Sequence, residues 1–171
     1  GLTISGGMTL ASEKYPLYQA AREAEGAEQR AKDFVRSDGG RAKDAFYFLG
    51  QVVPWEGFSD IAQRVDKFEN WCGEDGPVSR ALLQNLLSIY LEYRQGRAEA
   101  MKSRKWDPDK PYFGPWMWHL AYQLARRRED KRTPPEVKDE LVKIENEILT
   151  SQKNIETIGL AARWAQYLIR T

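Results

Sequence analysis

Cysteine and histidine are nearly absent: Cys72 and His119 are the only ones in 171 residues. A single thiol closes no intramolecular disulfide, and one Cys with one His falls short of the four ligands of a zinc site. A Ser/His/Asp or Cys/His centre has only His119 to rest on, and its neighbours Trp118 and Leu120 make it read as a structural histidine in an apolar stretch. No cofactor and no metal is expected. Phosphate-cradling glycine patterns are missing too, since neither GxxxxGK before Ser or Thr nor GxGxxG occurs. No apolar run approaches the roughly 20 residues that cross a bilayer. The start also lacks the order of a secretory signal, so the chain reads as cytoplasmic with no membrane partner.

Strand-like alternation is scarce as well, apart from the short Val52-Val53 pair. With 42% hydrophobic residues the chain can bury one core and is short for two domains. GLTISGG precedes Met8, so residues 1–10 read as a cloning remnant or disordered leader and 11–171 as one helical domain. Gly and Pro clusters at 39–40, 54, 73–77, 107–115 and 134–135 separate stretches of helical period.

The spacing predicts a helix from Pro16 to about Arg36, with Tyr18, Ala21, Ala24, Ala31 and Phe34 on its apolar side. A second is predicted over Arg41–Val53, carrying Ala45, Phe46, Phe48, Leu49 and Val52 and stopped by Pro54. Ser59 caps a third helix bearing Ile61, Val65, Phe68 and Trp71. Ser79 caps a fourth, whose stripe of Leu82, Leu83, Leu86, Leu87, Ile89, Tyr90 and Tyr93 is broad enough for the centre of a core. Further helices start near Pro115, at a capping box of Thr133 with Glu136, and near Asn154. The expected fold is all-α, a compact bundle of six to seven helices in which neighbours pack antiparallel or crossed.

The net charge of +1 is unevenly spread: residues 1–77 hold 9 Lys and Arg against 13 Asp and Glu, and residues 94–132 hold 11 against 5. Arg94, Arg97, Lys102, Arg104 and Lys105 follow the leucine-rich helix, and Arg126, Arg127, Arg128, Lys131 and Arg132 end the next one. If those two helices are antiparallel, the groups mark the ends of a track of cations able to contact phosphates, with Trp106 and Tyr112 placed to stack on unpaired bases. The plainer alternative has the cations complementing helix C-termini and the aromatics covering core. Glu25 with Glu28 and Glu136 with Asp139 each share a helix face, the ingredients of a magnesium-dependent all-α nucleotide hydrolase, but the pairs lie over a hundred residues apart in sequence. Ahead of that hydrolase stands the second reading, a helical interaction module that meets an acidic protein.

Two blocks carry a resemblance. SRALLQNLLSIY resembles the signature helix of the small subunit of type III (Csm-type) CRISPR effector complexes, matched at Asn85, Leu86 and Leu87. HLAYQLARRR resembles the same family's second block at Leu120, Ala121, Tyr122, Ala125 and Arg126, and the final ARWAQYLIR fits its C-terminal aromatic helix. The likeness spans residues 56–171. Gln84 stands where that family favours arginine, the Ser/Thr start is reduced to Ser79, and residues 11–53 are extra helical material, which the similarly helical Cmr-type branch could also accommodate. The resemblance implies a non-catalytic structural subunit that holds guide RNA and target RNA through their phosphates, packs against other effector subunits and associates with itself along the complex. Arg80 and Asn85 would then join the basic residues above as RNA contacts.

Overall fold

The computed structural model describes residues 3–35, 43–103, 107 and 110–170. The described residues include six α-helices, a short 3-10 helix at Trp55–Gly57 and a small three-stranded sheet. The chain divides into two compact units, Gly1–Asp60 and Ile61–Thr171.

In the first unit, β1 (Gly6–Gly7) pairs in parallel with β2 (Ala45–Phe48), which pairs antiparallel with β3 (Gln51–Pro54). The helix expected over Arg41–Val53 is therefore a hairpin wherever the structure describes it. Its turn, Leu49-Gly50, has positive φ at both residues, 49° and 90°, which matches the twist a two-residue hairpin needs. Residues 6–8 are not a disordered leader: Gly6 sits opposite Phe46, and the Met8 amide donates to the Tyr47 carbonyl at 2.9 Å. The Trp55 indole also donates to the Ile4 carbonyl at 2.8 Å, while its ring stacks on Phe46 at 4.7 Å.

Helix α1 (Leu17–Lys32) packs on this sheet through Ala27 and Ala31. Gly7 permits that approach, because a Cβ there would lie 2.2 Å from the Glu28 amide nitrogen. The N-terminal half of α1 is off the core: Tyr18 and Ala21, expected on the apolar side, are exposed.

Helix α2 (Phe58–Cys72) leads into the second unit, which holds α3 (Ala81–Ala100), α4 (Trp116–Glu129), α5 (Pro135–Thr150) and α6 (Asn154–Ile169). Helices α3 to α6 start within about two residues of where the sequence placed them, whereas α2 begins at Phe58, so Ser59 lies inside its first turn rather than capping it. The Ala81 amide donates to Ser79 Oγ at 3.3 Å, so Ser79 does serve the start of α3. The Thr133–Glu136 capping box does not form; Thr133 is buried, and Pro135 sits in the first turn of α5, where its missing N–H costs nothing. Helix α3 is central, packing on both α4 and α6 with Leu82, Leu83, Leu86, Ile89, Tyr90 and Tyr93 buried. Salt bridges tie α2 to α5, from Arg64 to Glu147 and from Lys67 to Glu140. Hydrogen bonds from Lys143 and then Lys67 hold the Glu140 carboxyl below its ordinary range.

Two helical glycines are used differently. A Cβ on Gly159 of α6 would lie 2.3 Å from Cγ of Tyr90, itself 4% exposed, whereas a Cβ on Gly26 of α1 meets nothing within 4 Å. Gly159→Ala should therefore destabilise the chain by about 1–3 kcal/mol through overpacking. Gly26→Ala should stabilise it by about 0.5–1 kcal/mol through helix propensity. Denaturant melts of the two variants should shift in opposite directions.

Candidate functional site

Among the described residues no helix is long and apolar enough to cross a membrane. Nor does any group of three His, Cys, Asp or Glu side chains gather there as a metal site would require. The cationic residues are the chemistry to place.

Helices α3 and α4 are antiparallel neighbours. Asn85 near the start of α3 donates to Gln123 late in α4 at 2.9 Å, and Glu92 further along α3 meets His119 early in α4 at 2.6 Å. Asn85 thus serves the helix pair, and the His119 ring is exposed at the surface. The two cation groups lie at opposite ends of this pair.

At the loop end, charges are partly matched. Arg97 pairs with Glu156 at 3.7 Å, Lys102 with Glu99 at 2.6 Å and Lys110 with Asp107 at 3.8 Å. Arg94 is within 3.4 Å of the Tyr90 hydroxyl. Exposed pairs such as Lys102–Glu99 contribute little to stability and exchange readily with water, so they leave the cation free to meet a stronger anion. Arg104, Lys105 and Trp106 lie outside the described residues. Tyr112 is half-buried against Gly96, whose Cβ position is 2.2 Å from the tyrosine hydroxyl. Gln152 clamps the Tyr112 backbone, accepting from its amide at 2.8 Å and donating to its carbonyl at 3.0 Å. That ring is a fixed wall rather than an open stacking platform.

The other end is an arginine cluster around the start of α3. One hollow of about 370 Å³ is lined by Cys72, Arg80, Arg127 and Arg132 among others. A second, about 510 Å³, is lined by Asn85, Gln123, Arg126 and Arg127. Arg127 and Asp130 belong to both. Glu74, Glu129 and Asp130 also line these hollows, so four guanidiniums face three carboxylates there. The α3 N-terminus adds its partial positive charge to that excess.

Two of the cations are engaged within the protein. Arg127 lies 3.9 Å from Asp130, and Arg128 binds Glu145 at 2.6 Å in a half-buried bond that joins α4 to α5. Arg128 is a strut. Arg80, Arg126, Lys131 and Arg132 are exposed, and their side chains have no carboxylate partner among the described residues, although the Arg132 amide donates to Asp130 Oδ1 at 2.9 Å.

Cys72 forms part of the floor of the first hollow. Burial pushes its thiol up to about 11 against the opposing charges of Arg127 and Arg80, so both guanidiniums are close enough to act on it. A thiol held protonated is a poor nucleophile. The native chain should resist alkylation at pH 8 and react only once unfolded, as mass spectrometry of iodoacetamide-treated samples would show.

Three exposed aromatics cluster around α4 instead. Trp118 is 80% exposed, Phe113 72% and Tyr122 60%, all on α4 or just before it; of these only Phe113 lies in the basic, aromatic segment that the sequence singles out with Trp106 and Tyr112. A signal exists: Trp116, Leu120 and Leu124 form one row at four-residue spacing, and Trp118, Tyr122 and Arg126 form another that ends in a charge. No protein family, no curated protein and no solved structure matches this chain.

Proposed function

We propose that the chain is a non-catalytic RNA-binding structural subunit of a cytoplasmic ribonucleoprotein, of the kind its α3 and α4 motifs resemble, the small subunit of a type III CRISPR effector. The observation that carries this reading is the convergence of Arg80, Arg126, Arg127 and Arg132 at one end of the antiparallel α3–α4 pair. Guanidiniums bind phosphate oxygens through paired N–H donors and read no sequence in doing so. A subunit that only holds a guide–target duplex needs nothing more, since base pairing supplies specificity. Its partners are guide RNA, target RNA, the other effector subunits and further copies of itself.

The second reading, a module meeting an acidic protein, draws on the same cations. Affinity for single-stranded RNA and for a guide–target duplex, measured against salt, separates the two. Phosphate contacts release counterions, so binding must fall steeply as salt rises. Absence of RNA binding at low salt leaves the acidic-protein reading in place.

A further inference from the structure

Two hollows in the second unit share a wall. The first, about 740 Å³, lies between α4 and α5 and is walled by Phe113, Met117, Trp118, Leu120 and Leu149, with Glu145 its one charged lining residue. Glu145 is already neutralised by Arg128. The second, about 290 Å³, reuses Phe113, Trp116, Met117 and Leu149 and adds Arg97, Lys110 and Lys153, with no carboxylate among its lining residues. An aromatic slot therefore opens directly onto a cationic hollow.

Single exposed apolar residues are ordinary, but a contiguous set is not. Trp118 and Phe113 gain almost nothing from folding at 80% and 72% exposure, and Leu149 beside them is 59% exposed. Their arrangement points to a ligand that is flat and apolar in one part and anionic in the adjoining part.

We propose that this slot seats unpaired bases of single-stranded RNA, with the adjoining phosphates over Arg97, Lys110 and Lys153. The inference rests on the RNA-binding reading and extends it from phosphates to bases. Every nucleotide carries a π-face next to a negative charge, which is the pairing the two hollows complement. Stacking on Trp or Phe accepts any base, so the seat adds affinity without sequence preference. The exposed row continues along α4: Tyr122 and Arg126 follow Trp118 at steps of about 6 Å, leading from the slot toward the arginine cluster. A purely apolar protein segment would fill the slot without engaging Lys153, which has no ion pair among the described residues, or the weakly paired Arg97 and Lys110 beside it.

The test compares, on the full chain at one salt concentration, a single-stranded oligouridylate with an abasic ribose–phosphate oligomer of equal length and charge. The seat predicts binding roughly 5- to 100-fold weaker for the abasic chain, with indole fluorescence quenched by the uridylate alone. Trp118→Ala should bring uridylate affinity down to the abasic level and leave abasic binding unchanged, and Trp118→Phe should restore most of the difference. Equal, salt-sensitive binding of the two oligomers overturns the base seat while the phosphate reading stands. Failure of both oligomers to bind overturns both. A Trp118→Ala variant that keeps full uridylate affinity but loses association with a protein subunit makes the slot a protein site and also overturns the proposal.

Discussion

Trp116→Ala costs about 3–5 kcal/mol of stability, whereas Trp118→Ala changes it by less than about 0.5 kcal/mol, although the two indoles stand two residues apart on α4. Trp116 is 1% exposed and Trp118 is 80% exposed. The buried ring meets Tyr93 edge-on with centroids 5.1 Å apart, and its N–H donates to the Tyr112 carbonyl at 3.3 Å. Truncation forfeits the transfer free energy of an indole, leaves a cavity between α3 and α4, and takes away a donor from a backbone carbonyl. Neighbouring side chains cannot close that space cheaply, because Tyr93 and Leu120 are themselves 3% and 2% exposed. For a chain of this length the loss corresponds to a fall of roughly 6–20 °C in the thermal midpoint. Calorimetry on the two variants gives the comparison directly, and similar losses for both would mean that Trp118 is packed.

The second large effect concerns RNA. Replacing Arg80, Arg126 and Arg132 together by Ala removes three exposed guanidiniums that have no carboxylate partner among the described residues, so the helical fold should survive. Removing one phosphate-binding cation lowers the slope of log K against log salt by about 0.7 for a single strand. The triple replacement should therefore lower the slope by about 2 and the affinity at low salt by roughly 10- to 100-fold. Arg128→Ala is the contrasting control. It leaves Glu145, whose side chain is 18% exposed, without its cation and should reduce stability more than RNA affinity.

The fold from α2 onward is legible in the sequence because its signals are local. Apolar rows at helical spacing, Ser79 ahead of α3 and Pro135 at the start of α5 place those helices to within a few residues. The hairpin is not legible for the same reason. Phe46, Phe48, Leu49 and Val52 satisfy a helical row as well as a strand, and the turn uses Leu49-Gly50 where Asn-Gly or Asp-Gly would have announced it. Strand β1 is hidden by distance: the partners of Gly6 and Gly7 are Phe46 and Tyr47, some 40 residues on. Nothing within residues 1–10 signals that pairing.

The cations of the candidate site can be counted from the sequence, but their partners cannot. Arg128 finds Glu145 on the next helix, and Arg97 finds Glu156 on the last, so two residues expected to face RNA are shared with carboxylates far along the chain. Arg80 owes its place to the antiparallel packing of α3 and α4, which brings it to the hollow that also holds Arg127 and Arg132. Trp116 and Trp118 are alike in composition and opposite in role, and only the rows they head on α4 distinguish them.

The measurement that bears most directly on the central claim is a salt titration of RNA affinity for the unaltered chain beside the Arg80/Arg126/Arg132→Ala variant. A steep linear fall of log K with log salt is predicted for the former and a slope shallower by about 2 for the latter. Two superimposable lines, or no RNA affinity at low salt in either protein, would contradict it.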